Sequence, residues 1–438
     1  MINLALFNES FAPQCDGVAV TVENYARIFT ERYGQAYVVT PAHPDRQQNF
    51  PFPVWEYASS AITVADQYRI GIPSVPKLAK KFNEAHIDII HSHTPFTSGL
   101  LANRMAARYN LPHVASFHSK YKDDINMRLK TNLKMPGEIV SRYVTSFYNR
   151  CDYIWSVSQG TANTLREYGY TGEVLVMPNG CDMPISHRTE EGRSKVIKTY
   201  HLNGAYPILL FVGRHTFTKN TDIIINALGA LARHGQKFNM LFVGDGEDAA
   251  KMVDMVKAQG LEKMVHFAGK ISDREALKQI YTSADLFVFP SVYDNAPLVV
   301  REAAACGCAS ALIKGSNSAE GLEDGVNAFL CAESVEDFAL TIYAALNNSN
   351  LGVVGQNARR DIYITWYEVL GMVQSEYEKI LTDWEKYKPK RAVVSDNFNE
   401  LMSYFDIRKD RKYDVGWKRP HRSQVTVTRQ ARKKNKDN

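Results

Sequence analysis

Residues 286–307 read LFVFPSVYDNAPLVVREAAACG. The apolar run Leu286–Phe289 has the character of a buried strand, and it stops at Pro290, which has no N–H to give a sheet ladder. A polar loop follows. A helix then begins near Leu298, and Gly307 ends it. Strand, loop and helix in that order make up the repeating unit of a parallel sheet covered by helices. The unit recurs on the N-terminal side, with strands predicted at Ile208–Val212, Asn239–Val243 and Val265–Ala268 and one more downstream at Ser310–Ile313. Helices are predicted between them at Asn220–Arg233, Glu247–Gln259 and Arg274–Tyr281.

An earlier series has the same form. Its strands are expected at Asn3–Phe7, Ala36–Val39, Ile87–Ile90, His113–Phe117, Tyr153–Val157 and Val174–Met177, with helices at Thr21–Glu31, Thr97–Arg108 and Gly137–Asn149. Between the two series, residues 186–205 are polar and basic with little apolar periodicity and read as a break. The expectation is therefore two doubly wound α/β domains: 1–188, 189–356, a helical segment 357–387, and a basic, partly disordered tail 388–438. Ile362, Trp366, Val369, Leu370, Val373, Tyr377 and Ile380 recur at helical spacing in the third segment. Ligands of open α/β sheets bind beyond the carboxyl ends of the strands, so two such sheets facing each other would share one cleft.

The chain has 438 residues, 45% of them hydrophobic and 23% charged. That length suits two domains with ordinary cores. Six cysteines are scattered without a CxxC pair, which fits reduced thiols and gives no zinc half-site. The first residues, MINLALFNES, have no basic leader and read as a strand, and no apolar run is long enough for a transmembrane helix. A cytoplasmic protein is expected, with any membrane contact peripheral. From Arg408 onward, twelve Lys or Arg stand against three Asp, a local charge of +9. Such a tail suits free solvation, an anionic membrane surface or a nucleic acid, though no nucleic-acid-reading motif occurs in the body.

Several strand ends carry chemistry. In residues 286–307, Asp294 lies in the loop and Glu302 early on the helix, where free N–H groups and a partial positive charge suit a diphosphate. The two acceptors could grip separate hydroxyls of one sugar nucleotide; a capping Asp and an exposed helical Glu are the alternative. After Ile208–Val212 comes Gly213, then Arg214 and Lys219, a guanidinium fork and an ammonium able to neutralise a leaving diphosphate. Gly244, in the triplet GDG after Asn239–Val243, allows close backbone approach, a weak signal. Gly17 follows the first strand in a loop open to phosphate. His91 and His93, and then His118, each follow a strand. No nearby carboxylate completes a metal set, and His118 is read as the histidine that bonds substrate.

Together and in this order, these blocks resemble the retaining glycosyltransferases of the GT-B fold, glycosyltransferase family 4, over roughly residues 3 to 385. The resemblance implies two facing Rossmann-like domains, the first for the acceptor and the second for a nucleotide sugar, with a C-terminal crossover helix packing back on the first. It implies an E-x7-E motif with Asp294 at the donor hexose and Glu302 at the ribose. Arg214 and Lys219 then bind the diphosphate, Gly17 closes on the phosphates, and His118 contacts the donor sugar. No metal or cofactor is required, and the donor is a nucleotide sugar, UDP-linked by family analogy. Asp294 replaces the usual Glu, and Pro297 stands where many members have Gly. The amides of Leu298 and Val299 remain as donors there.

Residues 91–124 are similar to members that glycosylate lipids, such as diacylglycerol glucosyltransferases and phosphatidylinositol mannosyltransferases. Residues 126–150 add Arg128, Lys130, Lys134, Arg142 and Arg150 among apolar residues, which suits docking on anionic lipid or a solvated helix face. The expected activity is transfer of a hexose to a hydroxyl acceptor, a membrane lipid such as diacylglycerol. The alternatives are a polysaccharide or other glycan as acceptor, a sugar-nucleotide epimerase of the same fold, and a non-catalytic sugar-binding domain.

Overall fold

The computed structural model of the chain describes residues 1–14, 16–47, 49–61, 69–72, 75–122 and 137–387. They form two lobes. The first contains β1 (Ile2–Phe7), β2 (Gly34–Pro41), β3 (Val54–Tyr57), the short strands β4 (Ser59–Ala61) and β5 (Arg69–Gly71), and then β6 (Ile89–Ser92), β7 (His113–Phe117), β8 (Tyr153–Ser156) and β9 (Leu175–Val176). Its main sheet runs β3-β2-β1-β6-β7-β8-β9, with β4 and β5 as a separate antiparallel pair. The second lobe contains β10 (Ile208–Val212), β11 (Asn239–Val243), β12 (Val265–Gly269), β13 (Leu286–Phe289), β14 (Ala309–Ile313) and β15 (Phe329–Cys331), ordered β12-β11-β10-β13-β14-β15. Every pairing in both main sheets is parallel. Each sheet reverses its strand order beside its first strand, between β1 and β6 and between β10 and β13, and such switch points open the crevice where ligands bind.

Central strands such as β10, ILLFV, are buried at every residue because helices cover both faces, which is why they read as continuous apolar runs. Polar residues in them are paired with neighbours in several places. His113 in β7 bonds Asn103 at 2.9 Å and Ser92 at 2.8 Å through its two ring nitrogens.

Two expectations are corrected. The break at 186–205 holds a helix, Glu190–Thr199, capped by the Thr189 side chain on the Gly192 N–H. Val196 is its single buried residue, so it has almost no apolar stripe to read. The helical segment also begins earlier than residue 357, which lies inside Leu351–Ile362. That helix packs in the second lobe. The chain crosses at Tyr363–Thr365, and the helix Trp366–Tyr387 buries Trp366, Val369, Leu370, Val373, Tyr377 and Ile380 in the first-lobe core.

Where the chain crosses back it meets its own first crossing. The Cys181 N–H donates to the Ile364 carbonyl at 2.8 Å, and Cys181 bridges Thr365. A Cβ on Gly180 would lie 2.5 Å from the Trp366 Cα, so only glycine lets the two strands approach.

The helix Gly137–Tyr148 turns Val140, Val144 and Phe147 into the first-lobe core. Its apolar side is therefore used inside the protein, and Arg142 stands on the exposed side. Arg128, Lys130, Lys134 and the tail 388–438 lie outside the described residues. Among the described residues no helix is long and apolar enough to cross a membrane.

Candidate active site

On the first lobe, β1 leads into a loop that ends at Asp16. The Asp16 carboxylate accepts from the N–H groups of Val18 at 3.0 Å and Ala19 at 2.8 Å and so starts the helix Gly17–Arg32. Gly17 is the first residue of that helix. It is exposed, with nothing within 4 Å of where a Cβ would stand. His118 is the first residue past β7, only 8% exposed. Burial pushes its pKa down to about 4, against a smaller upward pull from the nearby Asp16 carboxylate. The ring is therefore neutral at physiological pH.

Behind His118 lies a stack of imidazoles. His118 Nε2 and His93 Nδ1 are 3.0 Å apart, and the His93 ring stacks on His91 with centroids 4.2 Å apart. His91 bonds Tyr377 of the returning helix through Nδ1 and Ser116 through Nε2. Both its nitrogens are spent on the protein, so the HxH pair serves a hydrogen-bonded core.

On the second lobe, β10 leads to Gly213, Arg214 and the short turn Phe217–Lys219. Lys219 Nζ sits 2.6 Å from each oxygen of Asp294, and the Ser291 hydroxyl donates to Asp294 Oδ2 at 2.6 Å. The loops after β10 and β13 are thus tied together at the switch point. Asn220, in the left-handed region at φ 56°, reinforces this by donating to the Pro290 carbonyl at 3.0 Å. Arg214 is exposed and makes no side-chain hydrogen bond or ion pair among the described residues.

Glu302 belongs to a second cluster. It is 6% exposed on the helix Leu298–Ala305. One oxygen accepts from Arg274 at 2.9 Å, and the other accepts from the Tyr281 hydroxyl at 2.9 Å. Arg274 also reaches Asp182, next to the crossing. Burial, and then the Glu302 charge, push the Tyr281 hydroxyl well above its ordinary pKa and the Cys306 thiol up to about 12. Leu298 starts its helix behind Pro297 without a side-chain cap and packs on the first-lobe core, while Val299 packs on the second.

The structure thus joins Lys219 to Asp294 directly and places Glu302 in a separate, buried network. Gly244 has a reason internal to the fold. At φ 134°, a Cβ there would lie 1.9 Å from the Gly213 carbonyl oxygen, so the neighbouring turn requires glycine without any ligand.

Sequence reasoning missed Arg274, Tyr281, Ser291 and Asn295. Arg274 and Tyr281 lie seven residues apart on one helix, two turns and so one face, which is a readable signal. Asn295 stands beside Asp294 in the quoted loop; Asn317 of its own lobe donates to its side-chain oxygen at 3.3 Å, and its other partners lie on the first lobe. Its side chain donates to the His118 carbonyl at 2.9 Å, and its own carbonyl accepts from Ser158 at 3.2 Å. Lys120 donates to the Val292 carbonyl at 3.0 Å across the same gap. No local pattern encodes such contacts between distant segments.

Two doubly wound lobes, touching at their switch-point loops and clasped by a C-terminal helix that returns to the first, are the architecture of the GT-B glycosyltransferases. The profile of the family described as Glycosyltransferase Family 4 matches residues 15–183, and that of Glycosyl transferases group 1 matches residues 193–361. The chain is 22% identical over 309 residues to the alpha-monoglucosyldiacylglycerol synthase of Streptococcus pneumoniae, covering 70% of each chain. It is 24% identical over 350 residues to the GDP-mannose-dependent alpha-mannosyltransferase of Corynebacterium glutamicum, covering 78% of this chain and 79% of the relative. The structure of Anabaena HepE in complex with UDP and glucose superposes with a TM-score of 0.68 at 19% identity, covering 86% of this chain and 99% of that one. The chain belongs to these glycosyltransferase families and is a glycosyltransferase of the GT-B fold.

Proposed function

We propose that the chain transfers a hexose from a UDP-linked donor to a hydroxyl of a diacylglycerol-type membrane lipid, with retention of anomeric configuration. The observation that carries this reading is the junction of Lys219 and Asp294 at the second switch point, beside an exposed Arg214 and across from a loop bearing His118. In this reading the diphosphate sits against Arg214 and Lys219 and the amides of Leu298 and Val299. Asp294 holds a hexose hydroxyl, Glu302 the ribose, and Gly17 approaches the phosphates from the first lobe. The C1–O bond to the diphosphate breaks, and the acceptor oxygen bonds C1 on the same face. The leaving phosphate takes the acceptor's proton. Lys219, held by Asp294 before the reaction, then stabilises the growing phosphate charge more than it stabilises the ground state.

The lipid acceptor is supported by the pneumococcal relative's name, and UDP by the HepE complex. The basic tail supplies a means of peripheral contact with an anionic cytoplasmic leaflet. The Corynebacterium relative, named for GDP-mannose, supports a second donor reading.

A mass-spectrometric screen of UDP-, GDP- and ADP-sugars against diacylglycerol and soluble glycans tests the proposal. Glycosylated lipid from a UDP-hexose is expected. Product from soluble glycans alone, or an epimer formed without acceptor, would overturn it. Flotation with anionic vesicles at low salt should carry the protein, and removal of residues 408–438 should weaken that.

A further inference from the structure

His93 is buried, and its two ring nitrogens differ. Nδ1 faces His118 Nε2 at 3.0 Å, while Nε2 is enclosed and makes no hydrogen bond among the described residues. The Tyr25 ring stands nearly perpendicular to His93, with centroids 5.4 Å apart. His118 Nδ1 also lacks a bond among the described residues, but it is not among the enclosed unpartnered atoms. The backbone carbonyl of His118 accepts from Asn295 of the other lobe, so the residue stands where the two lobes meet.

A hydrogen bond between two neutral imidazoles holds one proton, so one ring must donate and the other accept. Burial keeps both rings neutral. If His93 accepted, its own proton would sit on the enclosed Nε2, leaving a buried N–H without an oxygen. If His93 donates, Nε2 is a bare lone pair, and buried orphan acceptors are tolerated better than buried orphan donors. The arrangement behind His93 is fixed as well, because His91 is pinned at both nitrogens by Tyr377 and Ser116 and stacks on it.

We propose that His93 is a positioning residue that donates from Nδ1–H to His118 Nε2, fixing His118 as the Nδ1–H tautomer whose free N–H is offered to an oxygen of the bound sugar donor. This rests on the reading of the cleft as the transfer site. The role of His118 is then that of a hydrogen-bond donor to substrate; no proton leaves it.

The test uses the full chain labelled with 15N-histidine. Two-bond 1H–15N spectra read the tautomer of His118, identified by its loss in His118→Gln. The expected wild-type spectrum shows Nδ1 protonated and Nε2 bare. His93→Phe keeps a stacked ring and removes the donor. It should give a mixed His118 tautomer and a kcat lower by about tenfold, with the donor KM changed less than about twofold. His93→Asn places an amide N–H near the position of Nδ1 and should recover kcat to within about threefold of wild type. A wild-type His118 protonated at Nε2 overturns the proposal, as does a folded His93→Phe with unchanged tautomer and kcat. Because the spectrum needs no substrate, it decides the tautomer even if no donor is turned over, which would instead refute the transfer reading.

Discussion

Lys219 and Asp294 neutralise one another in a half-buried setting, so each holds the other in place before any ligand arrives. Lys219→Ala removes the cation proposed to hold the phosphates and leaves Asp294 with Ser291 alone. Its kcat should fall by about a hundredfold, as for loss of one preorganised charge partner, while circular dichroism stays that of wild type. Tyr281→Phe deletes the hydroxyl that donates to buried Glu302, and the unpaired acceptor should lower stability by roughly 1–3 kcal/mol in denaturant titration. The pH response follows from the histidines. Burial holds His118 at about 4, below its unfolded value near 6.5, so the unfolded chain binds the extra proton between those pH values. Stability is full above that window. It falls as pH drops through it, by about 1.4 kcal/mol per unit for each such group. His91 and His93 are displaced the same way by burial, and His118→Gln should make the fall of melting temperature between pH 6.5 and 4 less steep.

The glycines matter most where elements meet. Gly180→Ala drives a methyl to within 2.5 Å of the Trp366 backbone. It should lower the melting temperature by several degrees and loosen the returning helix, read as faster amide exchange across Trp366–Tyr387. Central strands were legible because burial on both faces writes itself as an apolar run: His113–Phe117, Ile208–Val212, Asn239–Val243 and Leu286–Phe289 stand where the pattern puts them. The edge strand Val54–Tyr57 is short, buries fewer residues and left no comparable mark. The helix Glu190–Thr199 was hidden by its polar surface, though its Thr189 cap and the acidic residues of its first turn are a readable start. At the site, Lys219, Asp294 and Glu302 could be picked out because each follows a strand end. That Arg274 and Tyr281 share a helix face was readable, but their pairing with Glu302, across 28 and 21 residues, has no local signature.

At the scale of the whole chain, polar clasps join the two lobes among the described residues, beside the packing of Leu298 on the first-lobe core. Glu320 of the second lobe accepts from the Gln159 and Gly160 N–H groups, at 2.7 and 2.8 Å, at the start of a first-lobe helix. Polar contacts of this kind suit lobes that part and close around substrates. Glu320→Ala together with Asn295→Ala should shift the solution ensemble toward a larger radius of gyration in X-ray scattering, and a donor nucleotide should reverse part of that shift. In the proposed function, two facing switch points would bring an anionic donor and a hydroxyl acceptor into one space that closure frees of water. The central claim is that the donor nucleotide is held by Arg214, Lys219 and Glu302 on the second lobe. Calorimetric titration of UDP into the wild-type chain and into folded Lys219→Ala and Glu302→Ala variants tests it most directly. Saturable binding to wild type, weakened at least about tenfold in each variant, is the predicted result. Equal affinity in all three proteins would contradict it.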